Sequence, residues 1–251
     1  MKEEWKNLTT KKSFHIGILL LIVLIILLIL GFITLRYQVE GETNMPFVIS
    51  KISIISSSEG IDKDEPVEGN KWNFDINQNN DIYIYVEKNE EFEKQEAIDE
   101  INIENIVMSK QNQRGNLKTY KPDVTNANVI FSNKEENEVQ NITYIADENS
   151  DMKNLKITNQ GGIVAFRIAN NKIAEYVADD EEINHNDLLK KTNITQEELR
   201  INLQFDFIIN LNSGKKYKST IDLELPLEGV IEKGTDSKEL IGMEKYIFKR
   251  M

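Results

Sequence analysis

Residues 202–225, NLQFDFIINLNSGKKYKSTIDLEL, decide the fold class of this chain. Apolar side chains occupy every second position from Leu203 to Leu211, and most of the positions between them are polar. A second alternating run, residues 216–225, follows the glycine-containing turn at residues 212–214. A side-chain period of two is typical of a half-buried strand. Two such runs around this turn therefore predict a β-hairpin.

Similar runs upstream predict further strands, whereas helix signals are scarce. The strands are expected at residues 47–55, 72–76, 81–87, 101–108, 129–131, 142–145, 155–158 and 162–169. Thr195 and Glu198 have the spacing of a capping box, residues 184–191 predict another short helix, and residues 90–100 fit either a helix or a loop. Polar stretches at 56–70, 111–128, 132–140 and 147–154 predict connections. Many short strands with polar turns predict a mainly β protein, an antiparallel β-sandwich that is Ig-like or jelly-roll-like.

An uninterrupted apolar run at residues 14–35 predicts a membrane-spanning helix. The 23 residues between Lys12 and Arg36 carry no charge, and as a helix they would be about 34 Å long, enough for a bilayer core of about 30 Å. A buried core helix is disfavoured because core helices rarely stay apolar on every face over such a length. A cleaved signal peptide is disfavoured because its apolar region is only about 7–15 residues long and ends at a small-x-small site, which is missing here. We therefore expect an uncleaved signal anchor whose partner is the lipid bilayer.

Basic residues predict the orientation of this anchor. Four lysines precede the apolar run, whereas only Arg36 follows it before Lys51. Because positive charge stays on the cytoplasmic side, we expect a single-pass protein of the cell membrane with a cytoplasmic N-terminus. The expected order is a cytoplasmic tail (1–13), a transmembrane helix (14–35), a stalk (36–46) and one extracellular domain (47–251).

Composition excludes several classes of function. The net charge is −12, and since residues 1–36 contribute +3, the remaining residues carry −15. Such an acidic domain argues against binding to nucleic acid, which relies on lysine and arginine contacts with phosphates. The absence of cysteine excludes disulfides and thiol chemistry. Abundant Ile, Lys, Asn and Glu with few Pro and Ala are typical of an AT-rich genome and indicate a low-GC Gram-positive bacterium.

Motifs for catalysis are missing from the sequence. His185 is the only histidine beyond the apolar run, and it has neither a G-x-S-x-G elbow nor an H-E-x-x-H motif beside it. We therefore assign no catalytic residue and no cofactor. A glycan-acting enzyme with paired carboxylates stays open as an alternative, because acidic residues are abundant and no pair stands out.

Two weak binding signals remain. Asp147, Asn149 and Asp151 begin like a calcium loop, but Met152 and Thr158 occupy the positions that need glycine and glutamate. A second set, three aromatic residues, could form a sugar-binding face, although we favour packing within the sandwich as their role. These aromatic residues are Trp72, Tyr83 and Tyr85.

Three short segments carry a resemblance to a known group of proteins. They are Asn44-Met45-Pro46-Phe47, Gln78-Asn79-Asn80-Asp81-Ile82-Tyr83 and Phe248-Lys249-Arg250. In these segments the chain resembles uncharacterised single-pass membrane proteins of clostridia-like bacteria, which implies topology and source but no activity. We expect a non-enzymatic, membrane-anchored protein of the cell envelope that binds an envelope protein or glycan, or that acts in assembly.

Overall fold

The computed structural model describes residues 12–42, 44–63, 68–110, 114–126, 128–147, 155–179, 182–242 and 246–251. Contacts divide the chain into two units, Met1–Thr43 and Asn44–Met251. In the first unit, helix α1 (Lys12–Glu40) contains the predicted apolar run and continues five residues beyond Leu35, into the predicted stalk. Among the described residues, α1 is the one helix that is long and apolar enough to cross a membrane.

The second unit consists of two antiparallel β-sheets and a few short helices. Its strands are β1 (Phe47–Asp62), β2 (Trp72–Lys88), β3 (Ile98–Lys110), β4 (Asn116–Tyr120), β5 (Ile142–Ile145), β6 (Ile157–Thr158), β7 (Gly161–Ala178), β8 (Ile201–Leu211), β9 (Lys216–Leu225), β10 (Thr235–Ile241) and β11 (Lys249–Arg250). Its helices are α2 (Leu188–Lys191), α3 (Gln196–Leu199) and α4 (Val230–Lys233), and residues 135–137 and 185–187 form 3₁₀ turns. The first sheet has the order β10-β1-β2-β7-β4, with β6 paired to β7, and the second has the order β11-β9-β8-β3-β5. The predicted mainly β, sandwich-type fold is confirmed.

The main core lies between the two sheets. The predicted hairpin is present as β8 and β9, with Phe205 opposite Ile221. From β7 in the first sheet, the fully buried Phe166 ring meets Phe205 edge to face, with 5.2 Å between centroids. The Tyr144 hydroxyl of β5 donates to the carbonyl oxygen of Ala165 at 2.8 Å and accepts from its amide at 3.1 Å. Burial of these aromatic residues stabilises the sandwich, and the tyrosine satisfies its polar group across the two sheets.

A second, smaller core covers the other end of the first sheet. Phe74 and Ile76 of β2 and Ile173 of β7 pack there against buried side chains that include Leu188 of α2 and Leu199 of α3. Thr195 caps α3 with the reciprocal capping box that the sequence predicts. Between the two cores, the same face of the sheet carries buried polar residues. Asn80 Oδ1 accepts from the Ser56 hydroxyl at 2.8 Å and from Gln78 Nε2 at 2.9 Å.

One predicted strand is wrong. Residues 129–131 belong to the connection between β4 and β5 and form no strand. The reason is local: Phe131 is buried, whereas Val129 and Ile130 are exposed. Of these three apolar residues, only Phe131 therefore anchors the segment, and no strand with one buried face forms.

A candidate binding cleft on the first sheet

A cleft of about 820 Å³ lies on the face of the first sheet that points away from the second sheet. We call this the outer face. It carries the odd-numbered positions of β2, because the even positions, such as Ile82 and Ile84, are fully buried in the core. The cleft is also lined by residues of the connection between β4 and β5. We call residues 121–126 and 128–139 of this connection the strap. Its lining residues from the sheet include Glu59, Ile61, Asp75, Asn77, Asn116, Lys118, Tyr120, Arg167, Asn171 and Lys172.

An ion pair across two strands fixes the floor of the cleft. Asp81 of β2 and Arg167 of β7 are direct partners in the strand register. The guanidinium binds the carboxylate in a bidentate way, with 2.6 Å from Nε to Oδ1 and 3.0 Å from the second nitrogen to Oδ2. Both side chains are mostly buried, with 11% and 15% exposure for the arginine and the aspartate. Because two parallel hydrogen bonds join the groups and both side chains are mostly buried, this pair fixes the relative position of the two strands more strongly than an exposed salt bridge would.

The strap is docked on this floor through two side chains. Asn133 Nδ2 donates to Asn79 Oδ1 at 2.9 Å and to Asn171 Oδ1 at 3.0 Å, while its Oδ1 accepts from Arg167 at 3.2 Å. The Phe131 ring lies against the same arginine, with 5.2 Å from its centroid to the guanidinium carbon. A fully used amide and a cation–π contact therefore hold the strap to the sheet.

A buried aspartate organises the strap itself. Asp123 Oδ1 accepts from the Thr125 amide at 2.9 Å, the Thr125 hydroxyl at 2.7 Å and the Asn126 amide at 3.2 Å. The Ser132 hydroxyl donates to the other carboxylate oxygen. The hydrogen bonds from Ser132 and Thr125 hold the pKa of the Asp123 carboxyl well below its usual range.

This shift predicts an acid-sensitive strap. A folded-state pKa below the unfolded value of about 3.9 adds stability that is complete above that value and is lost as the pH falls through the folded pKa. We expect the Asp123→Asn variant, which cannot titrate here, to be less stable than the wild type at pH 7, and this difference to shrink below about pH 4. Urea unfolding of both full-length chains at pH 7 and pH 3 measures it. A difference that stays constant with pH would refute the assignment.

At the other wall of the cleft, a carboxylate lies between two lysines. Asp75 of β2 is 3.0 Å from Lys63 and 3.1 Å from Lys172. Desolvation raises the pKa of Asp75, but the hydrogen bonds from both lysines outweigh it, so that its pKa lies below the usual value.

Gly115, at the rim of the cleft, has a positive φ of 68°, and a Cβ atom there would lie 2.3 Å from Asn170 Oδ1. Glycine is therefore needed at this rim for both conformation and space.

Each cation that lines the cleft has a carboxylate within 4.0 Å. Arg167 binds Asp81, and Lys172 binds Asp75, as described above. The remaining two pairs are Lys118 with Glu138, and Lys134 with Glu136 at 3.7 Å. The cations of the cleft are therefore compensated, and Glu59 and Glu135 add two further carboxylates to its lining.

The three aromatic residues predicted to form a ligand face do not come together. Tyr83 and Tyr85 lie on the outer face, whereas Trp72, at an even position of β2, lies on the opposite face and stacks on Phe74 with 5.6 Å between centroids. Tyr83 lines a shallow depression beside the cleft, and burial raises its pKa to about 12. Lys51 lies 4.4 Å above the Tyr85 ring.

The remaining predicted candidates lie elsewhere. Asp147 lies in a turn after β5 and accepts a hydrogen bond from the Asn159 amide at 3.4 Å, and the other two calcium candidates, Asn149 and Asp151, lie outside the described residues. Within the described ranges, no group of three or more histidine, cysteine, aspartate or glutamate residues is placed to hold a metal. His185 packs edge-on against Phe74, with 5.8 Å between ring centroids.

The residues that build the cleft were not predicted from the sequence. Most of the strap, with Asp123 and Asn133, and the short strand β4 lie in segments that were predicted to be connections. The one available signal was the density of asparagine around these segments. Comparisons with protein-family models, with curated proteins and with solved structures found no match for this chain.

Proposed function

We propose that this chain is a membrane-anchored binding protein of the cell envelope and that the cleft is its binding site. In this proposal residues 14–35 hold the chain in the bilayer, residues 1–13 are cytoplasmic, and residues 47–251 are extracellular. Support for the anchor comes from the length and apolar character of α1. The proposal of a binding site rests on one observation, the strap that Asn133 fixes over the outer face by three hydrogen bonds. Such a preorganised wall lowers the entropic cost of binding.

Catalysis by carboxylates has less support than binding. A glycosidase needs one protonated carboxylic acid as a general acid. Glu59, Asp75 and Glu135 line the cleft, and the two lysine partners of Asp75 favour its ionised form. We therefore propose a partner that is bound without being transformed, either an envelope protein or a glycan.

Photo-crosslinking in cells tests the proposed site. A photoreactive amino acid replaces Lys134, an exposed residue of the strap that lines the cleft. The matched control carries the same probe at Lys216, an exposed lysine of β9 in the second sheet. We expect a crosslinked product only with the probe in the cleft. Equal products from both positions, or none from either, would refute the proposed binding site.

The proposed topology needs a separate test. Protease added to intact protoplasts is expected to digest residues 47–251, because they lie outside the membrane in this proposal. Protection of this region, or a mature protein that begins after Leu35, would refute the anchor and its orientation.

A further inference from the structure

We propose that the ligand of the cleft is a neutral, polyhydroxylated molecule, namely a segment of an uncharged glycan. This inference rests on the proposed function, because it names the chemical class that the same cleft would accept. Three properties of the cleft carry it: compensated charge, paired donors and acceptors beside apolar groups, and an adjacent sheet edge that is already occupied.

Charge compensation disfavours an anionic ligand. The mostly buried Arg167 and the exposed Lys172 already contact Asp81 and Asp75 at 2.6 and 3.1 Å. An anionic ligand would have to compete with these carboxylates for each cation. Since desolvating a charge is costly unless it gains a partner, a ligand without negative charge fits the cleft best.

Amide side chains supply the matching polar groups. Five asparagines line the cleft. Asn133 and Asn171 already bond within the protein, whereas Asn116 lies at an exposed position of β4. A primary amide presents both donors and an acceptor, and a hydroxyl group also donates and accepts. Sugar hydroxyls are therefore complementary to the exposed Asn116 amide, whereas a simple anion would use only its donors.

Apolar groups complete the lining. Ile61 and Val129 are 44% and 42% exposed, and both contribute to the cleft together with Tyr120 and Phe131. The exposed carbon atoms of Ile61 and Val129 can pack against the C–H groups of a sugar ring, which removes apolar surface from water. The volume of about 820 Å³ also lies within the range of about 300–1,000 Å³ that is typical of small-molecule sites.

A peptide bound by strand addition fits this site less well. That mode needs a free strand edge, and the edge beside the cleft is that of β4. The strap already uses the C-terminal end of this edge: the Val139 amide donates to the carbonyl oxygen of Thr119 at 3.0 Å, and the Lys121 amide donates to that of Asn137 at 2.9 Å. The glycan is therefore the better match to the described geometry.

Calorimetric titration of the full-length chain in lipid nanodiscs tests this inference. The neutral probes are chitotetraose and maltotetraose, and the anionic probe is tetragalacturonate. We expect a neutral probe to bind with an affinity that changes little with salt, because no charge is involved. Binding of the anionic probe alone would overturn the inference, and so would the absence of binding by all three probes at concentrations of about 1 mM.

A pair of variants locates the binding. Asn116 lies at an exposed position of β4 and lines the cleft, so Asn116→Trp should block the cleft and weaken binding of the neutral probe by at least about tenfold. Thr143→Trp places the same side chain at an exposed position of β5, in the second sheet, and should leave the affinity unchanged. Equal effects of both variants would overturn the inference, with circular dichroism used to confirm that both chains are folded.

A positive crosslink from Lys134 combined with no sugar binding would overturn the glycan class alone and would leave the proposed binding site supported.

Discussion

Replacing Phe205 with alanine is expected to destabilise the sandwich by about 3–5 kcal/mol. The Phe205 side chain is fully buried, and its ring contacts Phe166 of the opposite sheet edge to face at 5.2 Å. The substitution removes the buried area, leaves a cavity between the sheets and eliminates the aromatic pair. Urea unfolding of the full-length chain, followed by near-ultraviolet circular dichroism, measures the change in the free energy of unfolding.

Val107→Ala is the matched control for this prediction. Val107 lies in β3 of the same sheet but is 57% exposed, so its truncation should change the free energy of unfolding by no more than about 0.5 kcal/mol. A loss of less than about 1 kcal/mol for the Phe205 variant would contradict the packing of the two sheets at this point.

The sequence predicts the sandwich well where one face of a strand is apolar and the other is polar. The hairpin of β8 and β9 is such a case, because its alternation reports burial directly. Strand β2 shows where this signal fails. Its two predicted parts are joined through Gln78, Asn79 and Asn80, which have the composition of a turn. All three are buried in the structure, where hydrogen bonds to neighbouring polar groups satisfy their side chains.

Strand β4 could not be predicted for a different reason. It has only five residues, Asn116–Tyr120, and it lies within a polar, charged segment. Its strand conformation depends on pairing with β7, in which Lys118 is opposite Ala169. Such non-local pairing leaves little trace in the local sequence, because strand propensity depends strongly on neighbouring strands.

The cleft was still harder to predict than the strands. Asp81 and Arg167, which fix its floor, are 86 positions apart, and Asn133 of the strap reaches the same arginine from another segment. None of these residues has a spacing that indicates a site. The sequence places Trp72 and Tyr83 in two separate predicted strands, so a side-chain period of two could not show that they lie on opposite faces.

Neutralising Asp81 is expected to destabilise the floor of the cleft. Asp81→Asn keeps the size of the side chain but removes the charge that compensates Arg167. We expect a loss of about 2–4 kcal/mol in the free energy of unfolding, toward the lower part of the range for buried pairs because both side chains retain some exposure. The strap should also loosen, since Asn133 and Phe131 contact the same guanidinium group. Urea unfolding gives the stability, and hydrogen exchange of the strap amides gives its local opening.

A second substitution distinguishes loss of charge compensation from a general disturbance of the sheet. If the cost comes from an uncompensated arginine, combining Asp81→Asn with Arg167→Met should recover part of the stability, because an apolar side chain of similar length needs no counter-charge. The strap amides should nevertheless exchange faster than in the wild type, because methionine cannot donate to Asn133. If the double variant is as unstable as Asp81→Asn alone, the ion pair does not determine the stability of the floor. Recovery of stability without recovery of strap protection would show that Arg167 both pairs with Asp81 and holds the strap in place.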